Sequence, residues 1–118
     1  MATTIPATDV YREKVAAAAA SGGSLPAASE IAFGTGTSGS SPDDISLESE
    51  VHRNSLEEAA ASGTVLTCTG TLTGEESEEE ITEVGIFDVD GDLMGRRSFK
   101  PKRLEKESSL EFTLDFQF

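Results

Sequence analysis

Three aspartates alternate around one glycine in "ITEVGIFDVDGDLMG", residues 81–95: Asp88, Asp90 and Asp92 about Gly91. Carboxylates at that spacing are the raw material of a calcium loop, because the ion takes about six to eight oxygen ligands. A helix-loop-helix calcium loop, however, sets its glycine sixth and a bidentate glutamate twelfth. Counted from Asp88 the glycine is fourth, and the twelfth residue is Phe99. The stretch therefore reads as a hairpin tip. A two-residue type I′ turn needs positive φ at both central residues, Asp-Gly is a preferred pair, and both flanks read as strand. With Asp90 and Gly91 at the tip, facing residue numbers sum to 181. That register sets Phe87 against Met94, Glu79 against Lys102 and Glu78 against Arg103, so an acidic and a basic block would neutralise one another across the ladder.

Other chemistry-bearing residues are sparse. His52 is the only histidine, so any Ser-His-Asp or Cys-His mechanism must use it, yet it stands between Val51 and Arg53 with no cue for a nucleophile or an orienting carboxylate. Cys68 is the only cysteine; it sits in an alternating segment and reads as a small core residue, and no internal disulfide can form. Gly34, Gly36 and Gly39 satisfy G-x-G-x-x-G, but "SSPDD" follows where a dinucleotide site needs a helix, and the lysine of a phosphate-binding loop is missing. That segment reads as a flexible or closely packed loop. Glu78 to Glu80 read as a solvated acidic surface. No catalytic residue, cofactor or metal site is expected.

Positioning these groups falls to one domain over residues 1–118, mainly antiparallel β with an N-terminal helix, an α+β chain. Residues 1–7 lack periodicity and read as a flexible or partner-bound arm. Thr8 or Asp9 caps a helix over "VYREKVAAAAA", which Gly22 and Gly23 stop; Val10 and Val15 with the alanines make a thin stripe suited to packing on a sheet. Ile31 to Phe33 form a short strand, "TSGSSPDD" a polar loop. "LESEVHRNSLEEAAASG" has Leu47 and Val51 at helical spacing and reads as a second helix or as a run that begins extended. From residue 63 the period becomes two. Leu66, Cys68, Gly70 and Leu72 share one face of a strand, and Leu110, Phe112, Leu114, Phe116 and Phe118 alternate with polar residues in a last strand that needs a partner to hold it.

Charge bounds the partners. Twenty-two acidic residues against 9 basic give a formal net of −13, which opposes contact with nucleic-acid phosphates. A carboxylate-rich, lysine-poor surface is also what proteins working in molar salt tend to carry, since there the Debye length is only about 3 Å. A halophilic setting is the expectation, with an acidic protein of an ordinary cytoplasm as the alternative. No run reaches the roughly 20 apolar residues of a membrane helix, and the N-terminus lacks a basic region followed by an apolar stretch. Neither membrane nor secretion signal is expected.

In order, the helix, "IAFGTGTS", "LESEVHR", "ITEVGIFDVDGDLMGRRSFKP" and the last alternating strand resemble the phage tail-collar fibre family, the N-terminal attachment domain of tail fibre proteins. The matching positions are Gly34 and Gly36; Leu47, Glu50 and Arg53; Ile81, Glu83, Gly85, Ile86, Phe87, Asp88, Gly91 and Leu93; and Lys100. The resemblance implies a structural virion protein, a tail or baseplate adapter that attaches fibres. Implied partners are other tail, baseplate or fibre proteins and copies of itself, a trimer being favoured, in a particle assembled in the host cytoplasm. The acidity would place the virus in haloarchaea. Family members continue into a long fibre and this chain stops at Phe118, which leads to the expectation of a stand-alone adapter. Glu50, Arg53, Glu83, Gly85, Asp90, Gly91 and Lys100 are the structural residues singled out, with Arg53 expected to pair with Glu83 or Glu50 inside the fold. A calcium- or carbohydrate-binding β module using the acidic loops is the alternative, and a small hydrolase built on His52 a third.

Overall fold

Alternating β-branched and aromatic runs close on one another as two four-stranded sheets, which a computed structural model describes for residues 3–74, 76 and 80–118. In chain order the elements are β1 (Thr3–Thr4), α1 (Asp9–Ser21), β2 (Ala28–Gly34), β3 (Glu50–Ser55), β4 (Glu58–Ser62), β5 (Val65–Thr73), β6 (Ile81–Asp88), β7 (Leu93–Lys102) and β8 (Ser109–Gln117). One sheet has the order β1-β8-β5-β4, the other β3-β2-β6-β7. Every pairing is antiparallel except that of β1 with β8. The chain is α+β, mainly an antiparallel sandwich with an N-terminal helix, as its periodicity predicts.

The two inner faces make the core. Leu72, Cys68, Leu114 and Phe116 of one sheet pack against Ile31, Phe33, Val84, Ile86 and Met94 of the other, with Ile5 and Tyr11 closing one end. Gly70 belongs to this fit: a Cβ there would stand 2.5 Å from the Ile31 side chain, so the strands facing one another need its bare backbone. All eight residues of β6 are buried. This follows from cover on both faces, because a second apolar cluster of Ala32, Leu47, Phe87 and Leu93 lies on the outer side of the β2–β6–β7 sheet beneath residues 35–49.

Four expectations are corrected. Residues 47–62 hold no helix: β3 pairs with β2 and β4 pairs with β5, the tertiary ladder overriding the helix propensity of "LEEAAA". The segment before α1 is no loose arm in its described part, since β1 pairs with β8 and Ile5 is 1% exposed. Helix α1 is capped by Thr8, whose side chain accepts from the Tyr11 N–H, and ends at Gly22 in the left-handed region (φ 72°), but its alanines do not pack on a sheet. Only Tyr11 of the helix is buried, while Val15 is 36% exposed.

The tip of the β6–β7 hairpin is also not type I′. Only Gly91 has positive φ (86°), and its N–H bonds the Asp88 carbonyl while the Asp88 N–H bonds that of Asp92. This is a three-residue loop of Val89, Asp90 and Gly91, a turn followed by one left-handed residue. The longer loop shifts the tip register by one, so Phe87 faces Leu93 and not Met94. A bulge then restores the sum of 181 for Ile86–Gly95 through Glu83–Ser98. A second irregularity brings Ile81, not Glu79, opposite Lys102. Glu78 and Glu79 lie outside the described residues.

Candidate functional site

The three tip aspartates converge on an ammonium ion. The Lys14 Nζ lies 2.8 Å from Asp88 Oδ2, 3.2 Å from Asp90 Oδ2 and 2.7 Å from Asp92 Oδ2, so α1 is pinned to the tip of the β6–β7 hairpin. Asp88 is fully buried, and its other oxygen accepts the N–H groups of Asp90 and Asp92, which shapes the loop. The hydrogen bonds that the ammonium donates to these carboxylates, that to Asp88 first, raise the Lys14 pKa. Stability from this latch is present at and below the ordinary lysine value of 10.5 and is lost only as strong alkali deprotonates the folded form. Replacing Lys14 with Met should lower unfolding free energy by about 1–2 kcal/mol, because one buried and two half-exposed carboxylates are left facing one another. Thermal melts of the two proteins at neutral pH measure it.

A second carboxylate organises the outer face. Glu83, on β6, is completely buried, and burial alone would raise its pKa. The Arg96 guanidinium and the N–H groups of Ser49, Glu48 and Gly36 outweigh that and hold it below the usual value. Arg96 Nε stands 2.6 Å from Oε1; the backbone donors stand 2.7, 2.9 and 2.8 Å away. Arg96 continues outward to the carbonyls of Ser38 (2.9 Å) and Gly39 (3.2 Å) and to Asp44. One ion pair thus clasps the whole 35–49 segment onto the sheet. The glycines of "FGTG" are needed here for close approach. A Cβ at Gly34 or at Gly36 would stand 2.5 Å from Glu83 Oε2, so the G-x-G loop cradles an internal carboxylate.

The remaining predicted residues surround this clasp. Arg53 holds Glu50 through two bonds (2.6 and 2.9 Å), with Glu30 at 3.4 Å, and lies 3.8 Å over the Phe87 ring, roofing the outer cluster. Of the two partners expected for Arg53, Glu50 is the one found; Glu83 pairs with Arg96, which the sequence reading missed. Gly85 lets Leu47 descend, since a Cβ there would sit 2.5 Å from the Leu47 side chain. Gly91 supplies the left-handed residue of the tip, and Asp90 one oxygen of the latch. Lys100 is exposed on β7, and no ion pair engages it among the described residues.

His52 Nε2 lies 2.9 Å from both Asn54 Oδ1 and Glu76 Oε2, which ties β3 to the turn after β5. Cys68 is fully buried, and that burial, aided by Asp115, pushes its thiol up to about 11. A disulfide-exchange dye at about pH 8, near the ordinary thiol pKa, should leave the native protein unlabelled and react fully only after denaturation. A cleft of about 370 Å³ opens between β7 and β8, with Val84, Phe99 and Phe112 on its walls and Arg97 and Lys102 among its cations. Among the described residues no group of three or more His, Cys, Asp or Glu side chains is arranged to hold a metal ion.

Fold and site together define a small β-sandwich whose buried charges hold its own loops. No family model matches the chain, nor does any curated protein or solved structure.

Proposed function

We propose that this chain is a structural virion protein, a tail or baseplate adapter that attaches fibres in a tailed virus of haloarchaea. The observation that carries the reading is spatial. Gly34, Gly36, Leu47, Glu50, Arg53, Glu83, Gly85, Phe87 and Leu93, scattered over 60 positions of sequence, form one connected clasp on the outer face of a single sheet. Nine of the fourteen motif positions meet this way, and a scaffold held by a buried ion pair suits a part that must keep its shape while neighbours pull on it. The acidic surface suits assembly in molar salt, where self-repulsion is screened. Other tail, baseplate or fibre proteins are its partners, alongside copies of itself.

Immunogold labelling, with antibody to this chain, of virus particles released by cells that make it tests the reading. Gold confined to the tail end is the expected result. Antigen found only in the host extract, with particles unlabelled after mild detergent, would overturn it.

A further inference from the structure

A two-sheet sandwich leaves four strand edges, and an unguarded edge invites pairing with another chain. Three edges here are guarded. β1 has only two residues. The near half of β7 is covered by the segment leading into α1, where Thr8 donates to the carbonyls of Leu93 and Met94, and its far half carries Lys100, Pro101 and Lys102. β3 presents Glu50, His52 and Arg53. β4 has none of these devices after Glu58: Ala59, Ala60, Ala61 and Ser62 are small, uncharged and exposed, and their pairing with β5 runs without a bulge.

The turn fixes which backbone groups are free. Gly63 (φ 60°) and Thr64 make a two-residue hairpin, so Ser62 and Val65 beside it form a hydrogen-bonded pair. Alternation then directs the N–H and C=O of Ser62, Ala60 and Glu58 at β5, and those of Ala59 and Ala61 outward.

We propose that β4 pairs antiparallel with β4 of a second copy about a two-fold axis through Ala60, joining two sheets into one. Facing residues sum to 120: Ala59 meets Ala61 in two hydrogen-bonded pairs, Ala60 meets itself, and Glu58 meets Ser62. Self-complementarity is what selects a second copy. The antiparallel register keeps each Glu58 against a serine, whereas a parallel one would stack like charges. Apart from Glu58, which meets a serine, only small side chains stand on either face, so two identical strands approach without a clash. Ala59 and Ala61 share the face of Cys68 and Leu66, which continues the inner apolar surface across the axis. Two chains of net −13 repel one another, so the dimer forms as salt shortens the Debye length from about 10 Å at 0.1 M to about 3 Å at 1 M. This contact is independent of the adapter reading.

Sedimentation equilibrium of the full chain at those two salt concentrations, over a range of protein concentration, tests it. In molar salt the mass should rise toward twice 12.4 kDa. Ala61→Pro removes an outward N–H without touching the β5 ladder and should return the mass to one chain, with an unchanged circular dichroism spectrum. A single-chain mass at every salt and protein concentration overturns the proposal, as does a three-chain mass or a dimer that survives Ala61→Pro. Should that variant unfold, amide exchange of the unmodified protein decides. Slowing of the Ala59 and Ala61 amides with rising protein concentration is expected, and concentration-independent exchange overturns the pairing.

Discussion

Arg96→Ala should cost about 3–5 kcal/mol of unfolding free energy, since it strips the counter-charge from a carboxylate that water does not reach. At about 4 °C per kcal/mol for a chain of this size, that is a fall of roughly 12–20 °C in melting temperature. Arg53→Ala should cost only about 1 kcal/mol, because its Glu50 pair is one-third exposed and what remains is contact with the Phe87 ring. The pair of numbers matters more than either alone. Combined with Glu83→Gln, the Arg96 variant should show a coupling of about 2 kcal/mol, whereas Arg53 and Glu83 should be additive within about 0.5 kcal/mol. Equal losses at the two arginines, or additivity at Arg96, would mean that the clasp is not where the energy lies. Urea unfolding of the native protein, the three single variants and the two double variants at one pH measures all of it.

The same clasp sets the response to acid. Glu83 has its pKa lowered in the folded chain, so its contribution is fully present above the ordinary value of 4.5 and is lost as pH falls through the folded one. Protonation removes the charge that Arg96 faces and leaves the guanidinium buried beside a neutral acid. Stability below about pH 4.5 should therefore fall more steeply in the native sequence than in Glu83→Gln, which has already lost that charge.

Much of the fold was legible because the second half alternates with period two. β5 and β8 were readable to within a residue, since a buried face forces apolar side chains onto every second position. β4 was not legible: Glu and Ala favour helix, and an exposed edge strand has no buried face to impose a pattern. The signal that could have found it is the two-residue turn at Gly63-Thr64 before a clear strand. The partner of Glu83 was within reach as well. Glu83 faces Ser98 in the register read from sequence, and the diagonal neighbour two residues away on the same face is Arg96. The Glu-x-x-Arg spacing of Glu50 and Arg53, with the resemblance that includes it, pointed to Arg53 instead, although Arg96 is only 13 positions from Glu83. Lys14 left no signal at all, for it lies 74 residues from Asp88 and depends on where the helix docks.

Gly36→Ala should destabilise by about 2–3 kcal/mol, although adding one methyl to a surface-seeking loop would ordinarily help by reducing the freedom of the unfolded chain. Its φ is not positive, so backbone strain is not the cause. The new Cβ would land on the Glu48 side chain and 2.5 Å from Glu83 Oε2. That oxygen cannot retreat: it takes the Gly36 N–H at 2.8 Å and the Ser49 N–H at 2.7 Å, and the Gly36 carbonyl is itself held by Thr82 at 2.6 Å. Either the carboxylate gives up buried hydrogen bonds or the loop lifts, and both expose the outer apolar cluster. Gly39→Ala is the matched control in the same loop, because nothing lies within 4 Å of its added Cβ and its φ is also not positive. It should be neutral or stabilising by less than about 1 kcal/mol. Equal effects of the two substitutions in urea unfolding would show that the loop is merely flexible and that the Glu83 cradle does not hold it.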